Sequence, residues 1–238
     1  MHGHWYFARL AARREENATA RTLLFDVEKW PGHLPGQHVD VRLTADDGYQ
    51  AIRSYSLAAP AEGDRLELGV QPVEGGEVSP YLAEQLPLDA YVEVRGPLGG
   101  WFVWRGERTE PVLLLGGGSG IVPLRAMVRA RRSSAARSPF LLLYALRSPA
   151  ERWYAEELRP GADADGVRTR LLYSREAPAE EPRPAGRLTA ADLAGAAEVE
   201  GGPPLCYVCG PTGFVEHAAG LLVAAGVPPG RVRTERFG

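Results

Sequence analysis

Between residues 5 and 104 apolar and polar positions alternate in short runs. "GQHVDVRL" puts Val39, Val41 and Leu43 on one face, the period-two signature of a half-buried strand. "WYFARLAARRE", "ATARTLLFDVE", "DRLELGVQ" and "AYVEVRGP" read as strands too. Pro31-Gly32, Pro35-Gly36, Asp46-Asp47-Gly48, Gly75-Gly76 and Pro97 punctuate them. Strands at this spacing predict an antiparallel barrel or sandwich. "SPYLAEQL" is a helical candidate opening at Ser79, with Pro80 in its first turn.

After about residue 108 the rhythm changes. "PVLLLGGG" is a continuous apolar run ending in glycine, as expected of a strand covered on both faces. Helix "IVPLRAMVRARRSS" follows, then strand "FLLLYAL", helix "ERWYAEEL", strand "VRTRLLYS" and helix "TAADLAGAA". Strand "LCYVCG", helix "GFVEHAAGLLVAAG" and a last strand "RVRTERFG" complete the series. Alternating β and α elements predict a parallel, doubly wound sheet, with ligands beyond the carboxyl ends of its strands. We therefore place one domain at 1–107 and a second at 108–238.

Composition narrows the class without naming a function. The chain has 238 residues, 45% hydrophobic and 24% charged, ordinary for a globular protein. Net charge is −3, so bulk electrostatics does not favour nucleic acid. No apolar run approaches the roughly 20 residues of a membrane helix, and "MHGHWYFARLAARREE" lacks signal architecture. The expectation is a cytoplasmic protein with no membrane or nucleic-acid partner. The five histidines are scattered and suggest no metal site. Cys206 and Cys209 sit on a strand, where positions three apart face opposite ways about 10 Å from each other. A disulfide needs Cα atoms within roughly 7 Å, which disfavours a redox pair.

Two stretches carry chemistry. "AIRSYSLAA" gathers Arg53, Ser54, Tyr55 and Ser56 between aliphatic residues, more polar groups than a core strand needs. A buried Arg–Tyr network would explain them, but a buried guanidinium without an anionic partner is costly. "LLLGGGSGIVP" sets Gly116, Gly117, Gly118 and Gly120 at a strand-to-helix turn, where bare backbone admits a phosphate or a ring. Close helix–strand packing would demand the same glycines. The usual dinucleotide fingerprint and the P-loop are both absent.

Four separated motifs, "RSYS" (53–56), "GPLGGWF" (96–102), "GGGSGIVP" (116–123) and "CGPTGF" (209–214), stand in one order. With "GGEVSPYL" (75–82) and the end "ERFG", the chain resembles the ferredoxin–NADP reductase superfamily of flavin oxidoreductases. The resemblance runs from Pro35-Gly36-Gln37 to Phe237. It implies an antiparallel Greek-key flavin-binding barrel followed by a nicotinamide-nucleotide domain. The implied cofactors are FAD and NADP, with NAD possible.

The resemblance also assigns residues. Arg53 would meet a flavin phosphate, beside Ser54. Tyr55 would lie against the isoalloxazine or ribityl chain, and Ser56 would hydrogen-bond near the atom that receives hydride. Gly76 and the amides of Glu77 and Val78, with the Ser79 hydroxyl, would meet the pyrophosphate. Gly118, Ser119 and Gly120 match the nicotinamide loop, with serine where the family usually has threonine. Cys209, before Gly210-Pro211, would aim its thiol at the crevice. Phe237 would cover the flavin without the phenol usual in the plant-type branch. Glu235 matches an active-site carboxylate of that branch, although a surface ion pair would also account for it.

Ser174 and Arg175 in "LLYSRE", with Arg147 after "LYAL" and Arg187 as a third candidate, would clamp the 2′-phosphate of NADPH. The implied activity passes electrons from NAD(P)H through FAD to a separate one-electron acceptor such as a ferredoxin. Arg125, Arg129, Arg131, Arg132 and Arg137 offer a basic docking patch, or simply a solvated helix face. Alternatives are the reductase subunit of a multicomponent oxygenase, and a non-catalytic flavin-binding regulatory subunit.

Overall fold

β1 (Trp5–Asn17) and β2 (Ala20–Asp26) form an antiparallel hairpin. Asn17 shapes its turn by accepting the Thr19 amide at 2.9 Å. β3 (His38–Thr44), β4 (Gln50–Ser56), β5 (Arg65–Val70) and β6 (Tyr91–Leu98) complete a six-stranded sheet ordered β4-β3-β6-β1-β2-β5. Its two edges meet through a bridge from Leu57 to Leu68, which curls the sheet toward a barrel. This computed structural model describes residues 4–135, 138–160, 165–194 and 202–237.

The alternation in β3 places its side chains as the pattern predicts. Val39 and Val41 are fully buried and Leu43 packs on the same core. The helical candidate starts earlier than expected. α1 (Val78–Pro80) runs into a wider turn over Tyr81–Gln85, closed by Leu86 N–H to the Tyr81 carbonyl at 2.8 Å. Ser79 is not its N-cap, because its hydroxyl accepts the Val73 amide at 3.0 Å.

The second half is a parallel sheet ordered β11-β10-β7-β8-β9. Its strands are β7 (Val112–Gly117), β8 (Phe140–Leu146), β9 (Val167–Tyr173), β10 (Leu205–Pro211) and β11 (Val232–Phe237). α2 (Ile121–Ser133) follows β7 through a tight turn at Gly118–Gly120, and α3 (Thr212–Ala224) follows β10. Every residue of β7 is buried, matching its unbroken apolar run. Cys206 and Cys209 are free, fully buried, and belong to separate clusters. The strand spacing that disfavoured a disulfide holds.

Two expected helices are absent as such. "ERWYAEEL" forms a single 3-10 turn, Pro149–Glu151, and then irregular chain. Tyr154 adopts φ +54°, a left-handed conformation that a right-handed helix cannot pass through. Trp153 and Tyr154 are instead buried as a wedge between the lobes. "TAADLAGAA" gives a 3-10 turn, Ala190–Leu193, fixed by reciprocal bonds between Thr189 and Asp192; its last residues lie outside the described ones.

The two sheets share one continuous core. Ala20, Ala58, Phe102 and Trp104 from the first half pack with Met127, Trp153, Tyr154 and Tyr207 from the second. The Tyr207 hydroxyl donates to the Val103 carbonyl at 2.7 Å. Gly36 makes the seam possible: a Cβ there would sit 1.9 Å from the Phe102 carbonyl oxygen and 2.7 Å from the Met127 methyl. Large aromatics buried this way typically contribute about 3–5 kcal/mol each, so the interface behaves as core.

Candidate active site

A cleft of about 780 Å³ opens where the lobes meet, within the roughly 300–1,000 Å³ range of cofactor sites. β4 supplies one wall with Arg53, Ser54, Tyr55 and Ser56. The 71–79 segment supplies another, including Gly76, Glu77, Val78 and Ser79. Ser119 and Val122 enter from the glycine turn and α2, and Glu235 and Phe237 from β11. Residues far apart in sequence thus converge because the 53–56 strand, the first βα turn and the last strand end at one crevice.

Arg53 is exposed on the rim rather than buried, which corrects the buried setting expected from its neighbours. Its Nη1 donates to the adjacent Ile52 carbonyl at 2.7 Å. Among the described residues no carboxylate pairs with it. The barrel therefore does not need this charge for an internal network, and it stands free to meet an anion. Ser54 does have a structural tie: its hydroxyl donates to Asp40 Oδ1 at 2.6 Å. Asp40 also accepts Arg95 Nη2 at 2.5 Å. Although burial pushes the other way, Ser54 and Arg95 hold that carboxyl below its ordinary value.

Tyr55 is half-buried along the wall. Burial pushes its phenol up to about 12, outweighing nearby Arg53 and Ser79, so it stays neutral. Ser56 Oγ reaches across the lobes to Glu235 Oε1 at 3.2 Å. Burial raises the Glu235 carboxyl to about 7, against the pull of that bond. The cleft floor therefore carries a carboxyl able to hold or release a proton near neutrality. Phe237 lines the cleft and packs on the core at its base.

Cys209 departs from its expected place. Its thiol is fully buried and does not line the cleft. It pairs in register with Glu235, behind the surface where that carboxyl stands. Burial, with Glu235 adding its charge, pushes the thiol well above its usual value. Gly118, Gly120, Gly210 and Pro211 also lie off the lining. They shape the turn instead: a Cβ on Gly120 would fall 2.1 Å from the Cys209 carbonyl oxygen.

Arg147, Ser174 and Arg175 form a separate exposed group past the ends of β8 and β9. The Ser174 amide donates to the Leu146 carbonyl at 2.9 Å, and the Arg175 amide to the Arg147 carbonyl at 3.0 Å. Gly186 N–H bonds the Tyr173 carbonyl at 2.9 Å, bringing Arg187 to the same edge. No carboxylate pairs with Arg147, Arg175 or Arg187 among the described residues.

The basic helix face is largely not a docking patch. Arg125 and Arg131 are buried, Arg132 pairs with Asp165 at 2.5 Å, and Arg129 pairs with Glu67 at 3.1 Å. Arg137 lies outside the described residues. Sequence reasoning also missed His38, Gly69 and Val122, which line the cleft. His38 opens β3 directly opposite Ser56; its place right after Gly36-Gln37 was the available signal. Among the described residues no His/Cys/Asp/Glu cluster could hold a metal, and no helix is long and apolar enough to cross a membrane.

The residues present suit a flavin dinucleotide. An unpaired guanidinium, a neutral phenol, a hydroxyl and a cleft of the right size share one wall. Comparison with known proteins agrees. Residues 8–103 match an oxidoreductase FAD-binding domain and residues 114–220 an oxidoreductase NAD-binding domain. The ferredoxin–NAD(P)(+) reductase component of naphthalene 1,2-dioxygenase/salicylate 5-hydroxylase systems from Ralstonia sp is 31% identical over 204 residues, 85% of this chain and 60% of that protein. A flavohemoprotein of Vibrio cholerae is 29% identical over 212 residues, 87% of this chain and 52% of that one. The chain thus spans 52–60% of the length of these two relatives. Among solved structures, the flavohem-like FAD/NAD binding domain of a Vibrio cholerae nitric oxide dioxygenase superposes with TM-score 0.83 at 24% identity over 98% of each chain. The carbazole 1,9a-dioxygenase ferredoxin reductase does so with TM-score 0.80 at 23% identity, covering 99% of this chain and 70% of that one. These two likenesses establish the fold.

Proposed function

Because the chain belongs to the ferredoxin–NADP reductase superfamily of FAD- and NAD(P)-binding oxidoreductases, we propose that it moves electrons from NADPH through FAD to a separate one-electron acceptor such as a ferredoxin. The observation that carries this reading is the convergence of the Arg53–Ser56 wall, the Ser119 turn and Glu235 on one cleft between the two lobes. We place the division between the lobes at residues 107 and 108, and the protein in the cytoplasm.

Bound FAD supplies the chemistry of accepting a hydride and releasing its electrons singly. The chain supplies binding and orientation. Arg53 offers a two-pronged donor to phosphate. Tyr55 gives a flat neutral wall, and Phe237 lines the cleft from β11. Ser56 and Glu235 hold a proton where the lobes meet. Gly118 and Gly120 keep their positions in the turn beside the cleft free of side chains, where it would hold a nicotinamide facing the Arg53–Ser56 wall. Cys209 supports this turn from behind.

Arg147, Ser174 and Arg175 favour NADPH, because three donors without acidic partners suit a 2′-phosphate. The Ralstonia relative's name couples it to ferredoxin and an oxygenase. That favours service as the reductase component of such a system as the second reading. One anaerobic titration tests the first proposal: purified protein, yellow as isolated, receives NADPH and then NADH. Bleaching near 450 nm with NADPH at lower concentration than with NADH is expected. A yellow protein indifferent to both would leave a non-catalytic flavin subunit.

A further inference from the structure

We propose that Arg125 is a positioning residue for hydride transfer, a guanidinium that ties the nicotinamide-binding turn to the flavin wall and so fixes how the two rings meet. The inference rests on the flavin–nicotinamide reading above. α2 begins at the glycine turn; Ser119 in that turn and Val122 in the helix's first turn both line the cleft. Arg125 follows Val122 by one helical turn and is 4% exposed. Its Nη1 donates to Glu67 Oε2 at 2.8 Å and to the Ala58 carbonyl at 3.2 Å. Its Nε donates to Glu157 Oε2 at 2.7 Å. The guanidinium carbon stands 4.2 Å from the centre of the Tyr154 ring.

The partners come from both lobes, Ala58 and Glu67 from the first and Glu157 and Tyr154 from the second. Ala58 comes two residues after Ser56, and its amide is bonded to the Glu67 carbonyl at 2.8 Å. Leu57 bridges to Leu68. The exit of the flavin wall and β5 therefore move together, and Arg125 grips both. Glu157 belongs to the second lobe and anchors the guanidinium from behind. Arg129 braces the same two carboxylates, at 3.1 Å from Glu67 and 3.7 Å from Glu157. Arg14 approaches Glu67 at 3.7 Å. Gly69, one pleat further along β5, leaves no room for slack: a Cβ there would sit 2.5 Å from Val122 Cγ2.

The lobes also meet through the Tyr207–Val103 and Ser56–Glu235 hydrogen bonds and a largely apolar seam, whose contacts are non-directional. Buried ion pairs add little net stability because desolvation offsets attraction, yet their hydrogen bonds demand one geometry. A planar guanidinium that satisfies three oxygens at once is thus suited to orientation. A displacement of about 1 Å at the reacting atoms can cost on the order of 100-fold in rate.

The test uses Arg125→Lys, which keeps the charge but not the fork, and Glu67→Gln, which keeps the shape but not the charge. Each is loaded with FAD and mixed anaerobically with NADPH over a concentration series. The limiting rate of bleaching near 450 nm, the NADPH dissociation constant, and the long-wavelength absorbance of stacked rings are read separately. Expected are a roughly 10–100-fold lower limiting rate, weaker long-wavelength absorbance, and NADPH affinity and flavin content within about twofold of wild type. An unchanged limiting rate in either variant overturns the proposal, whether thermal stability, flavin content or NADPH affinity falls or not. If wild-type protein itself fails to bleach, it is the flavin–nicotinamide reading that has failed.

Discussion

Ser56 Oγ and Glu235 Oε1 lie 3.2 Å apart although 179 residues separate them in the chain. The serine ends β4 of the barrel, and the glutamate sits on the last strand of the parallel sheet. Their hydrogen bond joins the lobes at the cleft floor. Burial holds the carboxyl near 7, against the lowering pull of that bond.

That elevation sets a sign for the pH dependence of stability. The folded Glu235 carboxyl has a pKa of about 7 against an ordinary 4.5, so the folded chain binds its proton more tightly than the unfolded chain. Stability is uncompromised below 4.5, falls as pH rises from 4.5 to 7, and stays lower above 7. Glu235→Gln removes the penalty. Its thermal midpoint is expected to match wild type near pH 5 and exceed it at pH 8, by about 2–4 °C per kcal/mol recovered. Equal midpoints at pH 8 would mean that the carboxyl titrates in its ordinary range.

Arg53→Ala separates binding from folding. The side chain is exposed and its internal bond is to the neighbouring Ile52 carbonyl, so apoprotein stability should change by less than about 0.5 kcal/mol. A charge-assisted bond to phosphate is worth about 1.5–3 kcal/mol. FAD should therefore bind roughly 10–100-fold more weakly in a fluorescence titration of apoprotein. Undiminished FAD affinity would remove Arg53 from the site.

The fold was legible where side-chain period alone decides structure. Val39 and Val41 alternate inward, and the apolar β7 is buried on both faces. The cleft was legible through the family resemblance, whose motifs carry Arg53 and Glu235 to one lining, although residue type alone left a structural use open for each. What escaped was set by tertiary contact. "ERWYAEEL" has helical composition, but the lobe seam takes Trp153 and Tyr154 as a wedge and forces Tyr154 to φ +54°. Arg125 read as surface charge because Glu67 and Glu157, 58 and 32 residues away, could not be seen beside it. The Cys209 thiol was assigned to the crevice from its motif, whereas the strand's pleat turns it into the core.

Buried thiols predict silence toward reagents. Burial pushes Cys206 up to about 12, and Cys209 also well above the usual range. Both are fully buried. Native protein at pH 8 is expected to react negligibly with an aromatic disulfide reagent over minutes, because the thiolate is the nucleophile. In denaturant both cysteines should titrate. Rapid labelling of one thiol in native protein would show that the β10 strand opens or that its pleat is reversed.

Coenzyme choice should respond to Arg175 and Arg147. Both guanidiniums stand exposed beyond adjacent strand ends, joined through the Arg175 amide and the Arg147 carbonyl at 3.0 Å. If they clamp a 2′-phosphate, Arg175→Ala should raise KM for NADPH by roughly 10–100-fold, the loss of one charge-assisted contact. KM for NADH, which lacks that phosphate, should stay within about twofold, and kcat should hold for both. Adding Arg147→Ala should deepen the NADPH defect less than additively, since the two share one anion. Steady-state kinetics with an artificial one-electron acceptor reads all four constants. A parallel rise for NADH would mean that the arginines meet a part of the coenzyme common to both forms, and the preference for NADPH would then have to come from elsewhere in the lobe.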